Sequence, residues 1–211
     1  NHLRSPLDIG QYTDHLREQW QKTHEAKAPL RGLLCVSMGG MIAMDWCARF
    51  PQDFHYLVIM NSSASNLTPF WKRLRAENFP IVGSIFLELN VEKREKSLLQ
   101  FTTNLYPEVD TLAPRWANYY KEKPFSRLNA LRQLKAAARF KAPLLPKIPL
   151  LILNGAKDRV VGKESSKDLA NFYQAPLKIH PDAGHDLALD APRWVAYEIQ
   201  HWLMDMEKKH H

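Results

Sequence analysis

Three short apolar runs constrain this chain more than anything else in it: Leu33-Leu34-Cys35-Val36, Tyr56-Leu57-Val58-Ile59-Met60 and Leu150-Leu151-Ile152-Leu153. Each is strand-length and lacks polar alternation, the pattern of a strand buried on both faces of a parallel sheet. Helical periodicity fills the gaps between them. Ile9, Tyr12, Leu16 and Trp20 recur at spacings of three and four behind Ser5-Pro6-Leu7-Asp8, where Ser5 reads as the N-cap and Pro6 as the first helical residue. A second helix should follow Ser37 and end near Phe50-Pro51, and a third should cover 163–172. A short strand over 177–180 then leads to a closing helix capped by Asp190, with Val195, Ile199, Trp202 and Met206 on one face. Strands alternating with helices predict an α/β fold with a mostly parallel sheet flanked by helices.

From 66 to 148 the texture changes. The segment carries long helical patterns rich in aromatic and basic residues, such as Asn129 to Ala138, and shows no strand alternation. It reads as a helical cap inserted between two strands of a core made of 1–65 and 149–211. The cap holds 15 Lys and Arg against 7 Asp and Glu, so its excess of 8 accounts for all of the chain's net charge of +7. One reading is a lid that draws anionic substrates or an acidic surface toward a site. The ordinary reading is solvated helix faces, since acids and bases interleave in Glu92-Lys93-Arg94-Glu95-Lys96. Nucleic acid is not expected as a partner, because no recognition motif or stacking pattern accompanies the charge. Aromatic residues such as Trp71, Phe79, Phe101 and Tyr119 are expected mainly to dock the cap.

The chain's 211 residues, 45% hydrophobic and 24% charged, suit a globular protein with one sizeable core. No apolar run approaches the roughly 20 residues that span a bilayer. Cys35 and Cys47 are the only cysteines and lie within one local unit, so they read as small packing residues in a reducing, cytoplasmic compartment. Lys208-Lys209-His210-His211 reads as a frayed tail or tag remnant, outside any metal-site reasoning.

The chemistry is concentrated at the ends of the predicted strands. Ser37 sits on a tight turn between a buried strand and a helix, with Gly39 and Gly40 directly after it. The segment LLCVSMGGMIAMDW resembles the nucleophile turn of the α/β-hydrolase fold family, usually written G-x-S-x-G, with Cys35 in place of the first glycine. LLILNGAKDRVV resembles the family's strand and loop bearing the triad acid, which implies that role for Asp158. HPDAGHDL resembles the loop bearing the catalytic histidine and implies His185. The order Ser37, Asp158, His185 is that of the family, and the backbone N–H of Met38 is the implied oxyanion donor. His180, Asp182 and Asp186 are expected to be structural. The cap strings PFWKRLRAENFP and RLNALRQLKAAARF are similar to those of some bacterial α/β hydrolases.

The resemblance implies a serine hydrolase that cleaves a carboxylic ester or thioester through an acyl-serine, without metal or organic cofactor. Acyl transfer, amide cleavage and C–C bond hydrolysis use the same triad. A non-catalytic binding protein of the same fold is the alternative from another class. Complete members of the family begin with further strands and a loop that donates the second oxyanion N–H. None of these precedes Ser5, so an upstream portion absent from this chain is expected, and with it an open apolar edge beside the Leu33–Val36 strand.

Overall fold

The computed structural model describes residues 4–73 and 75–209, apart from the side chains of Glu25, Phe70, Ala76 and Lys209. Four strands, β1 (Gly32–Val36), β2 (Tyr56–Met60), β3 (Leu150–Gly155) and β4 (Leu177–His180), form one parallel sheet in that order. Leu33 lies opposite Leu57, Leu57 opposite Leu150, and Ile152 opposite Leu177. Because side chains alternate across a strand, the sheet feeds two cores. Leu57, Ile59, Leu150 and Ile152 pack with α1 (Ile9–Trp20), α2 (Met38–Arg49) and α8 (Lys163–Tyr173). Val58, Met60, Leu151 and Leu153 pack against α9 (Leu187–Asp190) and α10 (Pro192–Lys209). β1 is the edge of the described sheet, and Leu34 on it is 50% exposed.

Between β2 and β3 the described residues form helices and no strand: α3 (Phe70–Arg73), α4 (Phe79–Leu87), α5 (Val91–Thr102), α6 (Val109–Glu122) and α7 (Arg127–Arg139). Phe101 is buried, whereas Trp71, Phe79 and Tyr119 are exposed. Helical spacing alone does not say which turn of an aromatic helix meets the core.

Several expected caps fall elsewhere. Asp8, not Ser5, caps α1, its side chain accepting from Gly10 N. On that helix Thr13 takes the buried position where Leu16 was expected, satisfied by the carbonyl of Ile9. Asp190 does not cap α10; it ends α9, and its carboxylate turns to the loop before α6. The tail is not frayed at its start, since α10 runs through Lys208 to Lys209, while His210 and His211 lie outside the described residues. Cys35 and Cys47 are free thiols, and burial pushes both up to about 12, which suits inert packing groups. Among the described residues no helix is long and apolar enough to cross a membrane.

The seam between α1 and α2 turns on one carboxylate. Asp53 accepts from Arg17 Nε at 2.6 Å and from Trp46 Nε1 at 2.8 Å. Arg17 also lies over the Phe50 ring at 3.9 Å, and Trp20, Trp46 and Phe54 contact one another with centroids 5.0–5.7 Å apart. Burial raises the Asp53 pKa, but the bonds from Arg17 and Trp46 outweigh it and hold the carboxyl below its ordinary value. A carboxyl depressed in the folded state stabilises fully above its unfolded pKa, about 3.9, and that stabilisation is lost as pH falls through the lower folded value. Asp53→Asn is therefore expected to lower the unfolding free energy in urea at pH 7 by about 1–2 kcal/mol. The difference from wild type should shrink in acid; a difference that grows on acidification would show that the charge is not the cause.

Candidate active site

The site is built where β1, β2, β3 and β4 end. Ser37 follows β1 and occupies the N-cap position of α2 with φ 55° and ψ −123°, a conformation that side-chain-bearing residues rarely adopt. A serine at an N-cap ordinarily turns its hydroxyl back onto the helix amides. Here it makes no such bond, and among the described residues Ser37 Oγ has no hydrogen-bond partner. The backbone is held from several sides: Ser37 N donates to Met60 O at 2.9 Å, Gly40 N to Ser37 O at 3.0 Å, and Ser62 Oγ to Ser37 O at 2.8 Å.

Small residues make this turn possible. A Cβ on Gly40 would come within 2.9 Å of Ile59 Cγ2 and of Ser62, so this position admits only glycine. A Cβ on Gly39 would lie 3.7 Å from Cys35 Cβ, ordinary contact. Cys35 thus fills the place of the family's first glycine without crowding the turn.

Asp158 follows β3 and is 1% exposed. Its Oδ2 lies 2.8 Å from His185 Nδ1, and its Oδ1 accepts from Val160 N at 2.7 Å and Val161 N at 3.0 Å. His185 follows β4, with a half-buried ring whose Nδ1 is occupied in this way. The structure thus brings the predicted acid and histidine together. It places Ser37 at the same rim without a Ser37–His185 hydrogen bond among the described residues. The link between them runs through Asn61, the residue after β2. Met60 O accepts from Ser37 N, and the adjoining Asn61 Nδ2 donates to Gly184 O at 3.0 Å and to His185 O at 2.7 Å.

Ser37 and Met38 open onto a cavity of about 600 Å³ that is mostly apolar, with Met41, Leu134, Val160 and Val161 among its walls. Arg73 and Lys135 also line it, and among the described residues no Asp or Glu does. His185 is not part of the lining; it stands beside the cavity through Asp158, whose amide partners Val160 and Val161 form one wall. Met38 N is the first amide of α2, at the positive end of a 12-residue helix. No group of three or more His, Cys, Asp or Glu among the described residues is arranged to hold a metal ion. In the histidine loop His180 Nδ1 accepts from Asp182 N and Ala183 N, and Asp182 pairs with the exposed Lys157.

Three site-building residues escape a reading of sequence alone. Asn61 is fully buried at φ 46°, and an asparagine directly after a strand, tolerant of left-handed backbone, was its one available signal. Asp190 receives Gly184 N at 2.6 Å, together with the amides of Asn104, Leu105 and Tyr106, and so ties the histidine loop to the insertion. Arg73 looks locally like its neighbours Lys72 and Arg75, yet it alone of the three is buried.

Comparison with known proteins agrees with this architecture. The family described as serine aminopeptidase S33 matches residues 7–192. Among curated proteins none matches the chain. Solved structures similar in fold include a membrane phospholipase A described as a bacterial virulence factor, at TM-score 0.72 and 22% identity over 96% of this chain. A hydrolase from Pseudomonas aeruginosa PA01 matches at 0.71 and 18% over 96%, and a thermophilic esterase from Thermogutta terrifontis at 0.62 and 18% over 97%. The chain spans 65% of the length of the phospholipase, 74% of the hydrolase and 75% of the esterase. With its parallel sheet, its turn at Ser37 and a family match across nearly its whole length, the chain belongs to the serine aminopeptidase S33 family of α/β hydrolases.

Proposed function

We propose that the protein hydrolyses a carboxylic ester or thioester through an acyl-serine formed on Ser37, with His185 and Asp158 completing the triad. The observation that carries this reading is Ser37 itself. A serine in strained backbone at a helix N-cap, with its hydroxyl free and facing an apolar cavity, gives up the bonds that a structural serine would make. His185 Nε2 removes the hydroxyl proton as Ser37 Oγ attacks the carbonyl, then returns it to the leaving alcohol or thiol. Asp158 fixes the tautomer, since a carboxylate on Nδ1 keeps a proton there and leaves Nε2 basic. Met38 N–H faces the developing oxyanion. Catalytic hydrogen bonds often tighten only with substrate in place, which is where this proposal puts the Ser37–His185 contact.

The family's description raises a second reading, removal of an amino-terminal residue from a peptide. The lining disfavours it. A peptide's N-terminal ammonium lies next to the scissile bond and needs a carboxylate, whereas among the described residues the cavity is lined by two cations and no acid.

A fluorophosphonate probe should label the protein, and Ser37→Ala should abolish the labelling; labelling that persists in Ser37→Ala would remove the nucleophile from the scheme. Asp158→Asn, which reverses the preferred tautomer of His185, is expected to lower kcat for a p-nitrophenyl ester by about 10⁴-fold. Asn61→Asp tests the linking residue. It keeps size and backbone tolerance but sets a carboxylate against the carbonyls of Gly184 and His185. It should destabilise the fold by about 3–5 kcal/mol in urea and reduce ester turnover. An Asn61→Asp variant as stable as wild type would show that the amide does not bear the loop.

A further inference from the structure

The cavity at Ser37 contains a cation that the hydrolytic scheme does not use. Arg73, the last residue of α3, is 4% exposed and lines the cavity. Its Nε donates to Ser63 Oγ at 3.1 Å, Nη1 to Ala138 O at 2.9 Å and Nη2 to Ala137 O at 2.8 Å. A guanidinium has five N–H donors, so one on each terminal nitrogen stays uncommitted among the described residues. All three acceptors are neutral, and no described carboxylate pairs with Arg73. Ala137 and Ala138 lie in the last turn of α7, whose dipole compensates only a fraction of a charge. Burial accordingly lowers the pKa of Arg73 from its ordinary value, although an arginine remains charged.

A buried charge without an opposite charge is a costly arrangement that proteins seldom leave unanswered. Among the described residues no other wall of the cavity answers it. Lys135 adds a second cation, and Asp158, two residues from Val160, already gives one oxygen to His185 and the other to the amides of Val160 and Val161. The position of Arg73 is also fixed relative to the triad. Gly162 N donates to Arg73 O at 3.1 Å, and a Cβ on Gly162 would collide with Lys72 O, so the loop leaving Asp158 clasps the end of α3.

We propose that Arg73 anchors a carboxylate on the substrate, so that the preferred ester is an anion whose charged group sits at the end of a short aliphatic stem. The apolar side chains of Met41, Leu134, Val160 and Val161 receive the stem, and the two uncommitted N–H groups of Arg73 receive the carboxylate. This assignment rests on the esterase reading for its substrate class, but the anion site itself does not depend on Ser37.

Two matched pairs of esters test it by pH-stat: monomethyl glutarate against methyl pentanoate, and 4-acetoxybutanoate against butyl acetate. The first pair carries the charge on the acyl half and the second on the alcohol half. In at least one pair the anion should have a kcat/KM about 10- to 100-fold above its neutral partner. Arg73→Gln should bring that ratio to about 1 or below, and Arg73→Lys, which keeps the charge but loses the fork, should give an intermediate ratio. The ratio is insensitive to a general loss of folded enzyme, and the lysine variant serves if the glutamine variant does not fold. Glutarate titrated calorimetrically into the uncatalysed protein gives a reading free of turnover, with binding expected to weaken at least 10-fold in Arg73→Gln. Glutarate binding that needs Arg73 in a protein whose Ser37 does not label would retain the anion site and reject the esterase. A labelled, active enzyme that favours neutral esters in both pairs, or whose ratios and glutarate affinity ignore both substitutions, would overturn the anchor and leave the esterase standing.

Discussion

The site depends on one buried amide. Asn61 leaves β2 and reaches across the ends of the strands, donating to the carbonyls of Gly184 and His185 and accepting from Gly155 N at 2.9 Å and Asn154 Nδ2 at 2.8 Å. With no exposure to water, each of these bonds stands in place of one that solvent would have supplied, so leaving any of them unmade carries the full cost of desolvation. One side chain thereby sets the end of β3 and the histidine loop relative to β2, and β2 in turn holds Ser37 through Met60. The close approach of the same two segments is absolute at Gly155, where any Cβ would run into the carbonyls of Ala183 and Gly184. The rim geometry is therefore imposed by the Asn61 amide and by close backbone approach, independently of any contact between Ser37 and His185.

The parts of this structure that could be read in advance are those set by local pattern. β2 begins and ends where its apolar run does, and β3 adds only Asn154 and Gly155 to its run; the roles expected of Ser37, Asp158 and His185 come from the family resemblance instead. Boundaries set by competition between neighbours were not readable. Ser5 and Asp8 are both good caps, and the one chosen is the one whose carboxylate meets Gly10 N. Asp190 has the composition of a cap but finds four amides elsewhere, contributed by segments about 6 and 85 residues away. Arg73 is a sharper case. Lys72, Arg73 and Arg75 are equivalent in sequence, and the inward turn of one of them is decided by the carbonyls at the end of α7, more than 60 residues on.

The insertion is attached to the core by the same kind of interaction. Arg159, just after the acid, donates to the carbonyls of Gln100, Phe101 and Thr103 at the end of α5, while Arg75 Nη1 reaches Asp158 O at 2.8 Å. Cations at helix C-termini satisfy carbonyls that have no partner in the helix and meet the negative end of its dipole. Arg159 belongs to the core, so of the excess positive charge of 66–148 it is Arg75 that holds the insertion to the loop of Asp158. The charge count alone suggested either a steering field or solvated faces; Arg75 adds a fastening role that the count could not show.

Ser37 shows why such fastening matters for chemistry. A backbone at φ 55° and ψ −123° costs on the order of 1–3 kcal/mol for a residue with a side chain, and nothing within the turn itself repays that. The compensation lies in the surroundings: the bond to Met60 O, the hydroxyl of Ser62 on Ser37 O, and the packing of Gly40 against Ile59, which no larger residue could reproduce. Each such bond is worth about 0.5–1.5 kcal/mol net, so two or three are needed to hold the strained conformer as the only populated one. Relaxing the turn would return the hydroxyl to the α2 amides, where a serine at an N-cap is most stable and where it could not attack anything. The strain and its fastenings together keep the hydroxyl in the cavity.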